Sequence, residues 1–214
     1  MTRPRASSWI LPTLVLGLAL SGCQLGTASV AIRGKELFQT CVPCHGPAGA
    51  GRHEVGAPGI AGMSDWYIQQ ELRKFVSGAR GTNFDDLEGM HMQPMALSLA
   101  SDDDLKAVSQ YVSSLPQPRR IATIHGDAQA GQALYATCIA CHGVNGQGNE
   151  AMKAPRLAGV KDWYLVGTLK KFKSGVRGSN PADPEDVMMH SMTATLADDK
   201  AIQDVVAYIE TLKP

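Results

Sequence analysis

Two short segments constrain this chain more than anything else in it: Cys41-Val42-Pro43-Cys44-His45 and Cys138-Ile139-Ala140-Cys141-His142. They stand 138 − 41 = 97 positions apart, and the sequence around them repeats at that same offset without a gap. Gly34, Leu37, Thr40 and Gly46 recur as Gly131, Leu134, Thr137 and Gly143. Ala57-Pro58 returns as Ala154-Pro155, Asp65-Trp66-Tyr67 as Asp162-Trp163-Tyr164, and Lys74-Phe75 as Lys171-Phe172. Arg80-Gly81 becomes Arg177-Gly178, and Leu99, Val108, Tyr111 and Leu115 become Leu196, Val205, Tyr208 and Leu212. Solenoid repeats are ~20–50 residues long. A period of 97 therefore means two whole domains, each with one Cys-x-x-Cys-His.

A Cys-x-x-Cys pair alone is ambiguous between a redox disulfide, half of a zinc site and haem attachment. A thioredoxin-like dithiol expects a βαβ context, and the flanks here read as helix and loop. A four-cysteine zinc site places its two pairs ~15–20 residues apart, whereas these are separated by 97 and each carries a trailing His. That leaves covalent haem attachment. One helical turn sets the sulfurs of Cys41 and Cys44, or of Cys138 and Cys141, beside neighbouring vinyl groups. His45 or His142 then lies under the iron. Two covalently bound haem c groups follow as the expected cofactors.

The N-terminus reads as an export signal. Arg3 and Arg5 form a positive region, and Trp9 to Leu20 form an apolar run broken only by Pro12 and Thr13. A spanning helix needs ~20 apolar residues, more than this run supplies. It ends in Leu20-Ser21-Gly22-Cys23, which resembles the lipobox of bacterial lipoproteins. Lipidation of Cys23 accounts for the fifth cysteine, the other four being claimed by haem. Ordinary cleavage a little later, after Ala31, is the alternative. A lipid chain holds a protein on a membrane without spanning it. The expected location is therefore the periplasm, on the inner or the outer membrane. Equal counts of Lys+Arg and Asp+Glu, 20 each, leave no basic footprint for nucleic acid. Aromatic residues are scarce at 6%, as expected where a porphyrin fills part of the core.

Each copy reads as helix, haem loop, helix, loop, helix, with no alternating strand pattern of useful length. Asp65 or Ser64 caps a helix running to about Val76. Ser101-Asp102-Asp103-Asp104 opens another, whose apolar positions Leu105, Val108, Val112 and Leu115 fall at helical spacing. Ile202, Val205, Val206, Ile209 and Leu212 repeat that stripe. The expected boundaries are a signal peptide over 1–23, domains over 24–115 and 125–214, and a linker over 116–124. Its segment Pro116-Gln117-Pro118-Arg119-Arg120 is short and stiff, so the domains should sit close together.

The second axial ligand decides what a haem with one His does. Both copies carry a Met-rich segment, expected as a loop: Met90-His91-Met92-Gln93-Pro94-Met95 and Met188-Met189-His190-Ser191-Met192. Met92 maps onto Met189 and Met95 onto Met192, while His91 maps onto Met188 and His190 onto Gln93. A Met ligand in both domains keeps register, and a His ligand does not.

With its two haem motifs, Ala-Pro-x-(Ile/Leu)-Ala-Gly and the Met segment, the chain resembles the dihaem class I cytochromes c of the c-four type over almost its whole mature length. That resemblance implies an all-α tandem pair of class I cytochrome c domains, each a few helices wrapped around a covalently bound haem. It places the axial Met seven positions before the Leu leading into the last helix. Here that means Met92 before Leu99 and Met189 before Leu196. An extra residue after that Leu in both copies leaves Met95 and Met192 as alternatives. The resemblance also places the carbonyl of Pro58 or Pro155 against the proximal His. Trp66, Tyr67, Trp163 and Tyr164 are candidates for the haem pocket or for ordinary packing. Arg80 and Arg177 are candidates for pairing with propionates or for solvated loop positions, and His53 and His125 read as surface residues.

Met/His ligation fills both axial positions and raises the reduction potential. The expected function is single-electron shuttling between redox proteins of a respiratory chain, as from a quinol-oxidising complex to a terminal oxidase or reductase, without enzymatic activity or a small-molecule substrate. The alternative is a haem-containing oxidoreductase subunit or dihaem peroxidase with one open haem.

Overall fold

The computed structural model describes residues 24–99, 101–119 and 121–213. Among the described residues the chain is helical, with two isolated bridges, Arg52 with Ala57 and Asn149 with Ala154, again 97 apart. The first domain comprises α1 (Gln24–Phe38), α2 (Val42–His45), α3 (Asp65–Ser77), α4 (Leu87–Leu97) and α5 (Asp102–Ser114). The second repeats it as α6 (Ala128–Tyr135), α7 (Ile139–His142), α8 (Asp162–Lys173), α9 (Pro184–Thr193) and α10 (Asp199–Thr211). No described helix is long and apolar enough to cross a membrane. The signal-peptide reading and Cys23 lie outside the described residues.

The first helix of each domain crosses the last at a glycine. A Cβ on Gly34 would stand 2.2 Å from the Ala107 carbonyl oxygen, and one on Gly131 would stand 1.9 Å from that of Asp204. No side chain fits there, which explains why this residue survives in both copies. Around each crossing sits a core built from register-equivalent residues. Phe38, Ile68, Val108 and Val112 serve the first domain; Tyr135, Leu165, Val205 and Ile209 serve the second. Phe38 meets Tyr111 at 5.4 Å between centroids, and Tyr135 meets Tyr208 at 5.3 Å. The expected final helices are present. Ser101 accepts from the Asp104 N–H, and Asp198 from the Ala201 N–H.

One local expectation needs correction. The Met-rich segments are helices, α4 and α9, not loops. Their starts explain it: Asp86 accepts from the Gly89 N–H, and Asp183 from the Asp186 N–H. Pro184 at the first turn of α9 is compatible with a helix start. Pro94 lies inside α4, where it removes one backbone donor without ending the helix.

The domains do sit against each other, and the seam follows an approximate twofold relation. Asn83 donates to the Val176 carbonyl at 3.1 Å, and its equivalent Asn180 donates to the Ala79 carbonyl at 3.3 Å. Lys153 lies 5.7 Å from the Trp66 ring centre, and His53 stacks on Trp163 at 4.6 Å. The linker is bonded rather than slack. Gln117 donates to the Gly159 carbonyl, while Thr123 and Ile124 donate their N–H groups to Asp162.

Candidate haem sites and the seam between them

In each domain the attachment motif forms a single turn. Cys41 precedes α2 and Cys44 lies within it, with the Cys44 N–H donating to the Cys41 carbonyl at 3.3 Å. Cys138 and Cys141 repeat this at 3.2 Å. Burial pushes the Cys41 thiol up to about 11, with the neighbouring Cys44 adding to it, and burial raises Cys138 too. A redox dithiol needs the opposite, a depressed thiol. Among the described residues no three His, Cys, Asp or Glu side chains converge as a metal site, so the two pairs do not form one zinc centre.

His45 and His142 are buried, each 5% exposed. The Nδ1 of His45 lies 2.8 Å from the Pro58 carbonyl oxygen, and that of His142 lies 2.8 Å from the Pro155 oxygen. A carbonyl only accepts, so Nδ1 carries the hydrogen and Nε2 is left with its lone pair. That bond also fixes the ring plane, the arrangement required of a haem ligand. Burial lowers both histidines, which keeps the imidazole neutral and available to a metal. The loop supplying each carbonyl folds back on the motif through a glycine. Gly51 at φ 79° donates to the His45 carbonyl at 2.9 Å, and Gly148 at φ 81° donates to that of His142 at 2.8 Å.

On α4, Gly89 and Ala96 are buried, Met92 is half-buried between them in sequence, and Met95 is exposed at 42%. On α9, Asp186 and Thr193 are buried, Met189 is half-buried and Met192 is 37% exposed. Met92 and Met189 each stand six positions after the capping aspartate, 92 − 86 and 189 − 183. They therefore share the inward helical face, and Met95 and Met192 the outward one.

The seam between the sites is charged and buried. Lys74 of the first domain reaches Asp183 and Asp186 of the second, both at 2.8 Å. Its equivalent Lys171 reaches back to Asp86 at 2.5 Å and Glu88 at 2.6 Å. Glu71 accepts from Arg80 within its own domain and twice from Arg177 across the seam, at 3.0 and 2.9 Å. Arg177 also holds Asp186. Burial pushes Glu71 and Asp186 up, but the guanidinium of Arg177, helped by Arg80 for Glu71 and by Lys74 for Asp186, more than reverses it. Arg80 and Arg177 are thus not solvated loop residues; they lie 4.7 and 4.6 Å over Phe75 and Phe172. The Arg80 Nε–H is buried and has no partner, a donor still open to an anion. Trp66 and Trp163 belong to the seam, where the exposed His53 stacks on Trp163.

The sequence profile of the cytochrome c family matches residues 31–116 and 128–213. The chain belongs to the cytochrome c family. It is 28% identical to the cytochrome c4 of Azotobacter vinelandii over 218 residues, 94% of this chain and 98% of that protein. It is 32% identical to the thiosulfate dehydrogenase electron acceptor of Stutzerimonas stutzeri over 179 residues, 78% of this chain and 76% of that one. The solved reduced cytochrome c4 of Pseudomonas stutzeri superposes with a TM-score of 0.65 at 26% identity, covering 85% of this chain and 98% of that chain. Thiosulfate dehydrogenase (TsdBA) of Marichromatium purpuratum superposes at 0.67 and 28% identity, covering 85% of this chain but only 40% of that chain. The fold is a tandem pair of cytochrome c domains, the cofactors are two covalently bound haems, and the activity is electron transfer of the cytochrome c4 type. The residues fit that cofactor: two thiols and a buried, oriented histidine with an unbonded Nε2 in each motif, a half-buried Met on α4 and on α9, and an unbonded buried N–H at Arg80.

Proposed function

We propose that this protein is an exported, membrane-anchored carrier that moves single electrons between redox proteins of a respiratory chain. His45 and Met92 hold one iron, and His142 and Met189 hold the other. Cys41, Cys44, Cys138 and Cys141 attach the two haems, and Cys23 carries the lipid. Each bound haem supplies one ferrous–ferric couple. The protein keeps the histidines neutral and oriented through Pro58 and Pro155 and buries them, so that each histidine and its methionine would hold the iron and leave no ligand position for a substrate. The observation that carries this reading is the repetition, in register, of a bonded, buried His and an inward Met. A relative named as the electron acceptor of thiosulfate dehydrogenase supports a dehydrogenase as donor. A quinol-oxidising complex would serve equally as donor, and a terminal oxidase or reductase as acceptor.

The test is the visible spectrum of the purified holoprotein, ferric and ferrous, with and without carbon monoxide. Two low-spin haems per chain, a long-wavelength Met–iron band and no response to carbon monoxide are expected. A high-spin component, or one haem that binds carbon monoxide, would sink the carrier reading in favour of an oxidoreductase or peroxidase with an open haem. Lipidation at Cys23 is checked by the mass of the mature N-terminus.

A further inference from the structure

Asp86 and Asp183 each do two things at once. Asp86 caps α4 by accepting from the Gly89 N–H at 3.0 Å, and the same Oδ1 accepts from Lys171 of the other domain at 2.5 Å. Asp183 caps α9 by accepting from the Asp186 N–H at 3.1 Å, and its Oδ1 pairs with Lys74 of the other domain at 2.8 Å. Both aspartates are buried, 2% and 3% exposed, as is Lys74, while the Lys171 side chain is 25% exposed. These caps open the two helices that carry Met92 and Met189. We infer that each domain's lysine is a positioning residue for the methionine of the other domain: Lys171 for Met92, and Lys74 for Met189. This rests on the reading of Met92 and Met189 as iron ligands.

The physical chain is short. A buried carboxylate that loses its cationic partner is left uncompensated, and a helix start is weakened with it. Six positions on, less than two turns, stands the methionine. The Met–iron bond is then opposed by a helix that no longer holds its first turn in place. The first domain supplies no bonded substitute for the missing cation at Asp86: the remaining bond comes from the Gly89 N–H, and Arg80 acts on the carboxylate only through space. At Asp183 the situation differs in one respect. Lys74 also pairs with Asp186, so its removal strips two carboxylates of one partner, although Arg177 still holds Asp186. The coupling should therefore run in both directions and be unequal in size.

The experiment uses the full-length holoprotein and its Lys171→Met and Lys74→Met variants. Each ligated methionine of the reduced protein gives its own ring-current-shifted methyl resonance, so the two domains are read separately. Cyanide, titrated into the ferric protein, displaces the weaker Met and reports how firmly each is held. Lys171→Met is expected to shift the Met92 resonance and strengthen cyanide binding at the first haem about tenfold, equivalent to about 1.4 kcal/mol. The Met189 resonance should stay in place, although Lys171 belongs to the second domain. Lys74→Met should do the reverse. The conservative variant Lys171→Arg should restore the parent behaviour, which separates lost charge from lost packing. Should Lys171→Met fail to fold, Asp86→Ala removes the pair and the cap together and must loosen Met92 in the same direction. A change confined to the mutated residue's own domain, or no change at either haem, overturns the inference. Absence of both methionine resonances in the parent would instead reject the ligand assignment itself.

Discussion

Replacing Arg177 by Met removes the charge at the centre of the seam while keeping a stem to pack over Phe172. The parent side chain is 4% exposed and donates to both oxygens of Glu71 and both of Asp186. Without it, two carboxylates buried to 9% and 5% residue exposure face each other, with Lys74 and Arg80 as the nearest remaining cations. Breaking a buried pair by removing one partner costs about 3–5 kcal/mol. The lower end applies here because those two cations remain. For a protein of this size each kcal/mol lowers Tm by ~2–4 °C, so a fall of roughly 6–12 °C follows. A second change, Glu71→Thr, puts at position 71 the uncharged residue that its repeat equivalent, Thr168, already provides. Removing that carboxylate in the Arg177→Met background brings the buried acids back to three against three remaining cations, at the cost of Arg80's bonded partner, and should recover part of the loss. The assay is thermal and denaturant unfolding of the holoprotein, followed by circular dichroism and haem absorbance together. In the parent the two probes should coincide. In Arg177→Met a split into two transitions would show that the cluster is what makes the domains unfold as one. A shift below about 1 kcal/mol, the size of an exposed pair, would refute the reasoning. So would a double variant no more stable than Arg177→Met.

The same cluster sets the pH response. Glu71, Asp86 and Asp186 are held below the ordinary carboxylate range by their cations, against the pull of burial. Their stability is complete above the unfolded value of ~4 and is lost as pH falls through the folded values. Asp183, raised by burial, works in the opposite sense. The stability gap between parent and Arg177→Met should therefore narrow below about pH 4, as urea unfolding at stepped pH would show. Gly34→Ala and Gly131→Ala place a methyl against backbone at the helix crossings, and each should cost about 1–3 kcal/mol or more in chemical denaturation. Met92→Leu should abolish half of the long-wavelength Met–iron absorbance and open one haem to carbon monoxide, while Met95→Leu leaves both unchanged. The reverse outcome would transfer the ligand role to Met95. Redox titration should resolve two one-electron steps, because the buried charges of the two domains are unequally bonded at the seam; Glu71→Gln with Asp186→Asn should bring the steps closer together.

What was legible beforehand followed from the repeat. Registered positions gave the haem motifs, the glycines at the crossings and the core residues, because each answers to a local requirement or to a spacing. Two things were hidden. The Met segments read as loops because a second ligand is sought in one, while the capping by Asp86 and Asp183 that starts α4 and α9 is a three-dimensional fact about one side-chain oxygen. The seam was hidden for a different reason. Lys74 and Asp183 are 109 positions apart and Arg177 and Glu71 are 106 apart, so each charge taken singly reads as a solvated helix residue. A signal did exist. Lys74/Lys171, Arg80/Arg177 and Asp86/Asp183 are charged residues kept at fixed register through a duplication that altered most of the surface. A solvated face would have no reason to preserve them.

The places where the repeat is broken explain the rest of the seam. A strictly symmetric seam would set Lys74, Lys171, Arg80 and Arg177 against Asp86 and Asp183 as its only buried acids, four positive charges against two negative. Burying an excess of charge is prohibitive. Glu71, whose repeat equivalent is the uncharged Thr168, and Asp186, whose equivalent is Gly89, bring the buried acids to four, level with those four cations, while the exposed Glu88 adds a surface partner to Lys171. They do so unevenly. Both acids bond Arg177, whereas Arg80 receives only Glu71 and keeps its Nε–H unbonded. Neutrality of the whole is thus reached by making the halves different. One duplicated fold ends up with a saturated arginine in one domain and an unsaturated one in the other.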